Sequence, residues 1–207
     1  MSDKFKTAII YIIFVVGIVG HLSDHYKNGM ISITPYVLIM MGIYVLLISN
    51  VRSDNNFILW FFFSYISTLL LEIIGVKTGL IFGEYIYGNT LGFKVAEVPL
   101  IIGFNWLFVI LGGIGIGKKI SDNMIIVSLI AGITAVIFDL VLEPVAIDLH
   151  YWNWVSGEIP LQNYLAWFII TFVISLFYCS LKTNIRNNYF IHYLIAQFVF
   201  FLLLCRV

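Results

Sequence analysis

Charge is the scarcest thing in this chain. Only 11% of its 207 residues are Asp, Glu, Lys or Arg, where a soluble domain carries about 25%. Hydrophobic residues make up 61% and the mean hydropathy is +1.03. That balance excludes an ordinary soluble domain and points to an integral membrane protein. The 11 basic and 11 acidic residues cancel, so no basic face is left for nucleic acid. Cysteine is nearly absent. Cys179 and Cys205 both fall inside apolar runs and read as small packing residues, not as a disulfide. The four histidines, His21, His25, His150 and His192, form no H-x-x-H or H-x-x-x-H cluster, so a metal site of the oxygen-activating di-iron kind is not expected. The last apolar run, "YFIHYLIAQFVFFLLLC", contains no lysine for a retinal Schiff base. "GGIGIG" (Gly112 to Gly117) follows no strand and lacks the spacing of a dinucleotide loop. No Asp-rich diphosphate-binding motif occurs, and no A-x-A-like cleavage site follows the first apolar run.

What is present is a series of apolar runs. Seven spans can be read, at 7–22, 33–49, 57–76, 98–117, 124–147, 161–181 and 189–205. They predict an all-α, polytopic membrane helix bundle forming one transmembrane domain over 1–207. Pro35 is expected in the first turn of the second span, where its missing N–H costs nothing. Gly75, Gly79 and Gly83, spaced by four, are expected to allow close helix packing. Orientation is read from Lys and Arg. Seven of them (Lys4, Lys6, Arg52, Lys118, Lys119, Lys182, Arg186) share the N-terminal side, against Lys27, Lys77, Lys94 and Arg206 on the other. The N terminus is therefore expected in the cytoplasm of a prokaryotic cell, with the connections 77–97 and 144–160 together on the outer side.

The few acids are not scattered. Glu72 near the end of span three, Asp139 and Glu143 near the end of span five, and Glu84, Glu97, Asp148 and Glu158 in the connections all gather at that outer end. An acid within a span costs about 2.5–3.5 kcal/mol at mid-helix on insertion scales and is a functional hypothesis by default. Asp139 and Glu143 are four apart, hence on one helix face with Cβ atoms about 5–6 Å apart. Two carboxyls so close in a poorly hydrated place do not both ionise; one keeps its proton and the other is left as base. Pro144 follows directly and is expected to end or kink the helix, opening a polar pocket. The blander alternative is that these acids reach to water or pair with Lys77 or Lys94.

Aromatic and carboxamide side chains accompany the acids. Tyr85 and Tyr87 lie in "GEYIYGN", Trp152 and Trp154 in "YWNW", and Trp106 and Trp167 open two later spans. Either they form an interfacial belt or their ring faces line a pocket that stabilises a passing cation. Asn105 and Asn163 either position a water or tie helices together. A faint internal echo joins "EVPLIIGFNW" (Glu97 to Trp106) and "EIPLQNYLAW" (Glu158 to Trp167) at an offset of 61. Parallel repeats in membrane bundles often hold their binding site between the two halves.

"GLIFGEYIYGNTLGFKVAEVPLIIGFNW" and "FDLVLEPVAIDLHYWNWVSGEIPLQNYLAW" resemble the membrane carotenoid 1,2-hydratase family of bacteria and archaea, which includes hydratases of γ-carotene or lycopene ends and of bisanhydrobacterioruberin. The family pattern G-x-Y-x-Y, V-P, Trp, D-x-x-x-[DE]-P, W-x-W, P-x-x-N and Trp falls on Gly83, Tyr85, Tyr87, Val98, Pro99, Trp106, Asp139, Glu143, Pro144, Trp152, Trp154, Pro160, Asn163 and Trp167. It covers roughly residues 72 to 170. Ala166, in place of a glycine before Trp167, and Glu158-Ile159 before Pro160 depart from it and bear on substrate choice.

The resemblance implies a cofactor-independent hydro-lyase of carotenoid biosynthesis that protonates C2 of an acyclic end group and traps the C1 cation with water. Asp139 is then the expected proton donor and Glu143 its partner, or the two roles exchanged, with Glu72 and Glu84 the next candidates to activate water. Tyr85, Tyr87, Asn105, Trp106, Trp152, Trp154, Asn163 and Trp167 would bind the substrate. Implied partners are a lipid-soluble polyene (lycopene, γ-carotene or a bacterioruberin precursor), membrane lipids and other carotenoid enzymes. Two rivals are a lycopene cyclase-like isomerase and a non-catalytic carotenoid-binding or proton-conducting membrane protein. A polar pocket with Asn105 or Asn163 facing the cation favours hydration; a dry one favours cyclisation.

Overall fold

The computed structural model describes residues 2–183 and 188–205, with only the backbone of Arg52. Arg186 and Arg206, counted above for orientation, lie outside the described residues. Within them the chain forms seven helices: α1 (Asp3–Leu22), α2 (Lys27–Ile48), α3 (Asn55–Thr78), α4 (Leu100–Ile120), α5 (Met124–Asp148), α6 (Leu161–Ser180) and α7 (Asn188–Leu204). The first six are long and apolar enough to cross a membrane. A single 3₁₀ turn (Val51–Ser53) and four short strands complete the fold: β1 (Tyr85–Tyr87), β2 (Lys94–Val95), β3 (Val98–Pro99) and β4 (Trp152–Trp154). The expected polytopic helical membrane bundle is the observed one.

Local chemistry sets the helix ends. Asp54 accepts the Phe57 N–H at 2.9 Å to start α3, and Asn123 accepts those of Ile125 and Ile126 to start α5. Pro99 and Pro160, both extended, stand at the N-caps of α4 and α6. The helix α4 is the central one, packing against α2, α3, α5, α6 and α7. Its glycines explain how. A Cβ on Gly113 would lie 2.9 Å from the Ala131 Cα, and one on Gly117 2.8 Å from the Val127 carbonyl oxygen. The "GGIGIG" stretch therefore brings the α4 and α5 backbones together. Large apolar side chains such as Ile12, Val19, Phe62, Ile66 and Leu70 stay exposed on the outward faces of α1 and α3, as lipid-facing surfaces require.

Three expectations are corrected. The α2 helix begins at Lys27 rather than near 33, because the Lys27 N–H already bonds the Ser23 carbonyl; Pro35 is thus interior, not in the first turn. The α5 helix does not end at Pro144 but runs to Asp148. Pro144 is exposed there, as is Leu140, whose carbonyl loses its partner, while the buried Val145 and Ala146 carry the helix on. Lastly, Gly79 and Gly83 are not helix-packing residues. Gly79 ends α3 at φ 67° and Gly83 turns the chain at φ 108° toward β1. Only Gly75 lies within α3, under the Phe82 ring.

What positions the site is a two-stranded ribbon. Strands β1 and β4 pair antiparallel, with Tyr85 opposite Trp154 and Tyr87 opposite Trp152. Alternate residues share a face, so these four rings are buried while Ile86 and Asn153 face out. The ribbon lies across the ends of α3 and α5. A second small ribbon, β2 with β3, leads directly into α4.

Candidate active site

Two carboxyls hang beneath the ribbon, each bound to the aromatic donors of one strand. Glu72, near the end of α3 and buried, accepts from the Tyr85 hydroxyl at 2.6 Å, the Tyr87 hydroxyl at 2.7 Å and the Trp106 indole at 2.7 Å. Glu143, near the end of α5, accepts from the Trp152 indole at 3.0 Å and the Trp154 indole at 2.8 Å. Its other oxygen accepts from Asn163 at 3.2 Å, and the same Asn163 amide donates to Asp139 at 2.6 Å. The second Asp139 oxygen, Oδ1, is buried and has no hydrogen-bond partner.

Aromatic groups do two jobs here. Their N–H and O–H groups satisfy the acids, as buried polar groups require, and their rings wall the space between. Trp106 and Trp167 stack with centroids 3.8 Å apart, while Tyr85 lies 5.2 Å from Trp154 and Tyr87 5.9 Å edge-on to Trp152. Burial, with the Glu72 carboxyl adding to it, pushes the Tyr85 and Tyr87 phenols well above their ordinary range. Both remain donors at any ordinary pH. Tyr151, just before β4, is buried beside them; its phenol is pushed up to about 12 by burial, with the nearby Thr34 hydroxyl acting the other way. The approach to Thr34 falls short of a hydrogen bond, because the Thr34 hydroxyl is directed to the Met30 carbonyl at 2.8 Å and the Tyr151 hydroxyl has no partner.

These groups enclose a cavity of about 60 Å³, several times the roughly 10–15 Å³ one water needs. Glu72, Glu143, Tyr85, Tyr87, Asn105, Trp106, Trp152, Trp154, Asn163 and Trp167 all line it. The sequence thus named ten of its walls. Two candidates do not reach it. Asp139 is fully buried behind Asn163, so it meets the cavity only through that amide and Glu143. Glu84 is exposed, and only its backbone carbonyl serves the ribbon, accepting from Val155. Glu97 and Glu158 are also exposed, and Asp148 pairs with Lys27 at 3.2 Å. The alternative pairing of Asp139 and Glu143 with lysine is not found among the described residues: Lys94 instead binds the Tyr87 carbonyl and Asn89. Residues the sequence reading passed over are Tyr151, which lines the cavity, and Gln197, which donates to Asn105 at 2.8 Å. A glutamine within the apolar run of the seventh span was the available signal for the second; for Tyr151 there was none.

A family model described as "Carotenoid biosynthesis protein" matches residues 33–207. The chain belongs to that family. Over 112 residues this carotenoid biosynthesis protein is 30% identical to the bisanhydrobacterioruberin hydratase of Haloarcula japonica, a match covering 48% of this chain and 36% of the relative. It thus spans only about a third of that relative's length. No solved structure matches.

Proposed function

We propose that this carotenoid biosynthesis protein adds water across the terminal 1,2 double bond of an acyclic carotenoid end group, giving a tertiary 1-hydroxy carotenoid. One observation carries the reading: two buried carboxyls face a single cavity walled by indole and phenol rings, with the amides of Asn105 and Asn163 also on its surface. In this scheme Glu143, the member of the α5 pair that reaches the cavity, gives a proton to C2 and forms a tertiary cation at C1. Asn163, whose amide donates to both Glu143 and Asp139, holds Glu143 in place from behind. The faces of Trp106, Trp152, Trp154 and Tyr85 stabilise the cation. Water bonds to C1, and its surplus proton returns to a carboxylate, with Glu72 the second candidate acceptor. Every step is a proton transfer or a carbon–oxygen bond, so the scheme needs no cofactor.

The relative's printed name supports hydration, and so do the two carboxamides in the cavity, which suit a water-using site better than a dry cyclising one. The test is expression of the chain in bacteria that make lycopene or γ-carotene, in water labelled with oxygen-18. A pigment heavier by one labelled water is expected. A mass-neutral ring product would replace this reading with cyclisation, and oxygen drawn from O₂ would end any proton-first scheme. Bound but unaltered pigment would point to the carotenoid-binding alternative.

A further inference from the structure

Around the carboxyls, most polar groups are already spoken for. Tyr85, Tyr87 and Trp106 serve Glu72, and Trp152, Trp154 and Asn163 serve Glu143. Spare hydrogen-bonding capacity lies at another wall. The Gln197 Nε2 donates to the Asn105 Oδ1, which fixes the amide and turns its Oε1 elsewhere. That Oε1 is buried and has no partner, and the Tyr151 hydroxyl is in the same condition. The two residues are only 1% and 3% exposed. A buried polar atom left unpaired costs about 1–3 kcal/mol, so two near one site call for a ligand that both gives and accepts hydrogens.

Their location says which ligand. Tyr151 lines the carboxylate cavity, and with Gln197 it also lines a second cavity of about 160 Å³ between α1, α2 and α7. Leu38 and Phe201 are common to both cavities as well. Tyr151 therefore stands where the two spaces adjoin, and Gln197 lines the second space with it. A hydrocarbon polyene has no polar hydrogen to offer them; a water molecule has two.

We propose that Gln197 and Tyr151 hold the water that becomes the hydroxyl of the product, where the two cavities adjoin. This inference rests on the hydration reading. The water donates one hydrogen to Gln197 Oε1 and accepts the Tyr151 O–H, which leaves its second hydrogen for a cavity carboxylate and its second lone pair for C1. The new bond joins that oxygen to C1 as the cation is quenched. The proton then released passes to a cavity carboxylate, replacing the one given to C2. Both residues are positioning groups; neither gives or takes the catalytic proton.

The test uses the full chain in lipid nanodiscs with lycopene in deuterated water, and follows two signals. Hydrated product reports the whole reaction. Deuterium in recovered lycopene reports protonation alone, because a cation that water fails to trap loses a proton and returns to the alkene. Tyr151→Phe removes only an unpartnered oxygen, so its melting temperature should not fall. In Tyr151→Phe and Gln197→Leu, hydration should drop about tenfold or more while deuterium incorporation changes by about twofold at most, as expected for a lost water-orienting bond. Hydration at the wild-type rate in both variants would overturn the assignment, and so would hydration and exchange falling in step. Wild-type protein that neither hydrates nor exchanges would instead bring down the hydration reading itself, and this assignment with it.

Discussion

At the scale of single residues, the two cavity carboxyls are distinguished by their supports. Glu72 is held by two phenols and an indole, Glu143 by two indoles and an amide. Replacing either with glutamine keeps one oxygen to accept the paired phenol or indole bonds, sets an amide group against the remaining donor, and removes the exchangeable proton. Glu143→Gln should lower hydration by about 10²–10⁴-fold, the usual worth of a positioned acid or base, and cost about 1–3 kcal/mol of stability through its opposed amide. Product yield per folded protein measures it, and activity within threefold of wild type would exclude Glu143 as the acid (roughly the resolution of such an assay). The phenols give a pH prediction. Their folded-state values lie above the ordinary one, so the stability they contribute is full below about pH 10, the unfolded value, and is lost only as pH rises through the higher folded one. In ultraviolet difference titration, Tyr85→Phe and Tyr87→Phe should remove no tyrosinate signal below about pH 10. The acids, the two aromatic pairs and both asparagines were legible as residues because polar groups are costly in lipid and stand out. Which acid faces the cavity was not, since Asp139 and Glu143 share a helix face and only the placement of Asn163 on α6 screens one of them.

Elements set the geometry on which those residues depend. The turn from α3 into β1 needs Gly83 at φ 108°, with a Cβ position only 2.5 Å from the Pro160 ring and 3.3 Å from Trp154. Gly83→Ala should therefore displace the ribbon from Pro160, costing about 1–2 kcal/mol and reducing hydration more than it reduces folding. Activity per folded molecule, compared with melting temperature, separates the two effects. Deeper in the bundle, Gly113→Val forces a side chain against the Ala131 backbone and should cost about 1–3 kcal/mol, read as a lowered melting temperature in detergent. Helix positions were visible in the sequence because apolar runs have membrane length. The ribbon was not, because strands of three residues leave no periodic trace. Pro144 does not end α5: its helix-breaking tendency is real, but an exposed helix face accommodates it.

The whole molecule shows what the internal echo means. In each of two successive units a helix carries a glutamate near its end, a strand supplies two aromatic donors to it, a proline caps the next helix, and a tryptophan follows on that helix: Glu72, Tyr85 and Tyr87, Pro99, Trp106, then Glu143, Trp152 and Trp154, Pro160, Trp167. The strands pair with each other and the tryptophans stack, so the cavity lies between the two units. The excess of Lys and Arg on the N-terminal side predicts a cytoplasmic N terminus, which puts the ribbon on the outer side. Cysteines placed at Ser2 and Asn153 test this in intact cells: an impermeant thiol reagent should label position 153 and spare position 2, and the reverse pattern would invert the topology.

The sequence by itself determined the class of this protein and most of the polar and aromatic residues that wall its cavity. Long apolar runs can only be satisfied as lipid-spanning helices, and acids within them carry too large a cost to be incidental. Tertiary structure decided which of those acids share a cavity, that β1 and β4 join into one support, and that Tyr151 and Gln197 reach the same place from distant parts of the chain. Such choices depend on packing between elements far apart in sequence, which no local pattern of residues encodes.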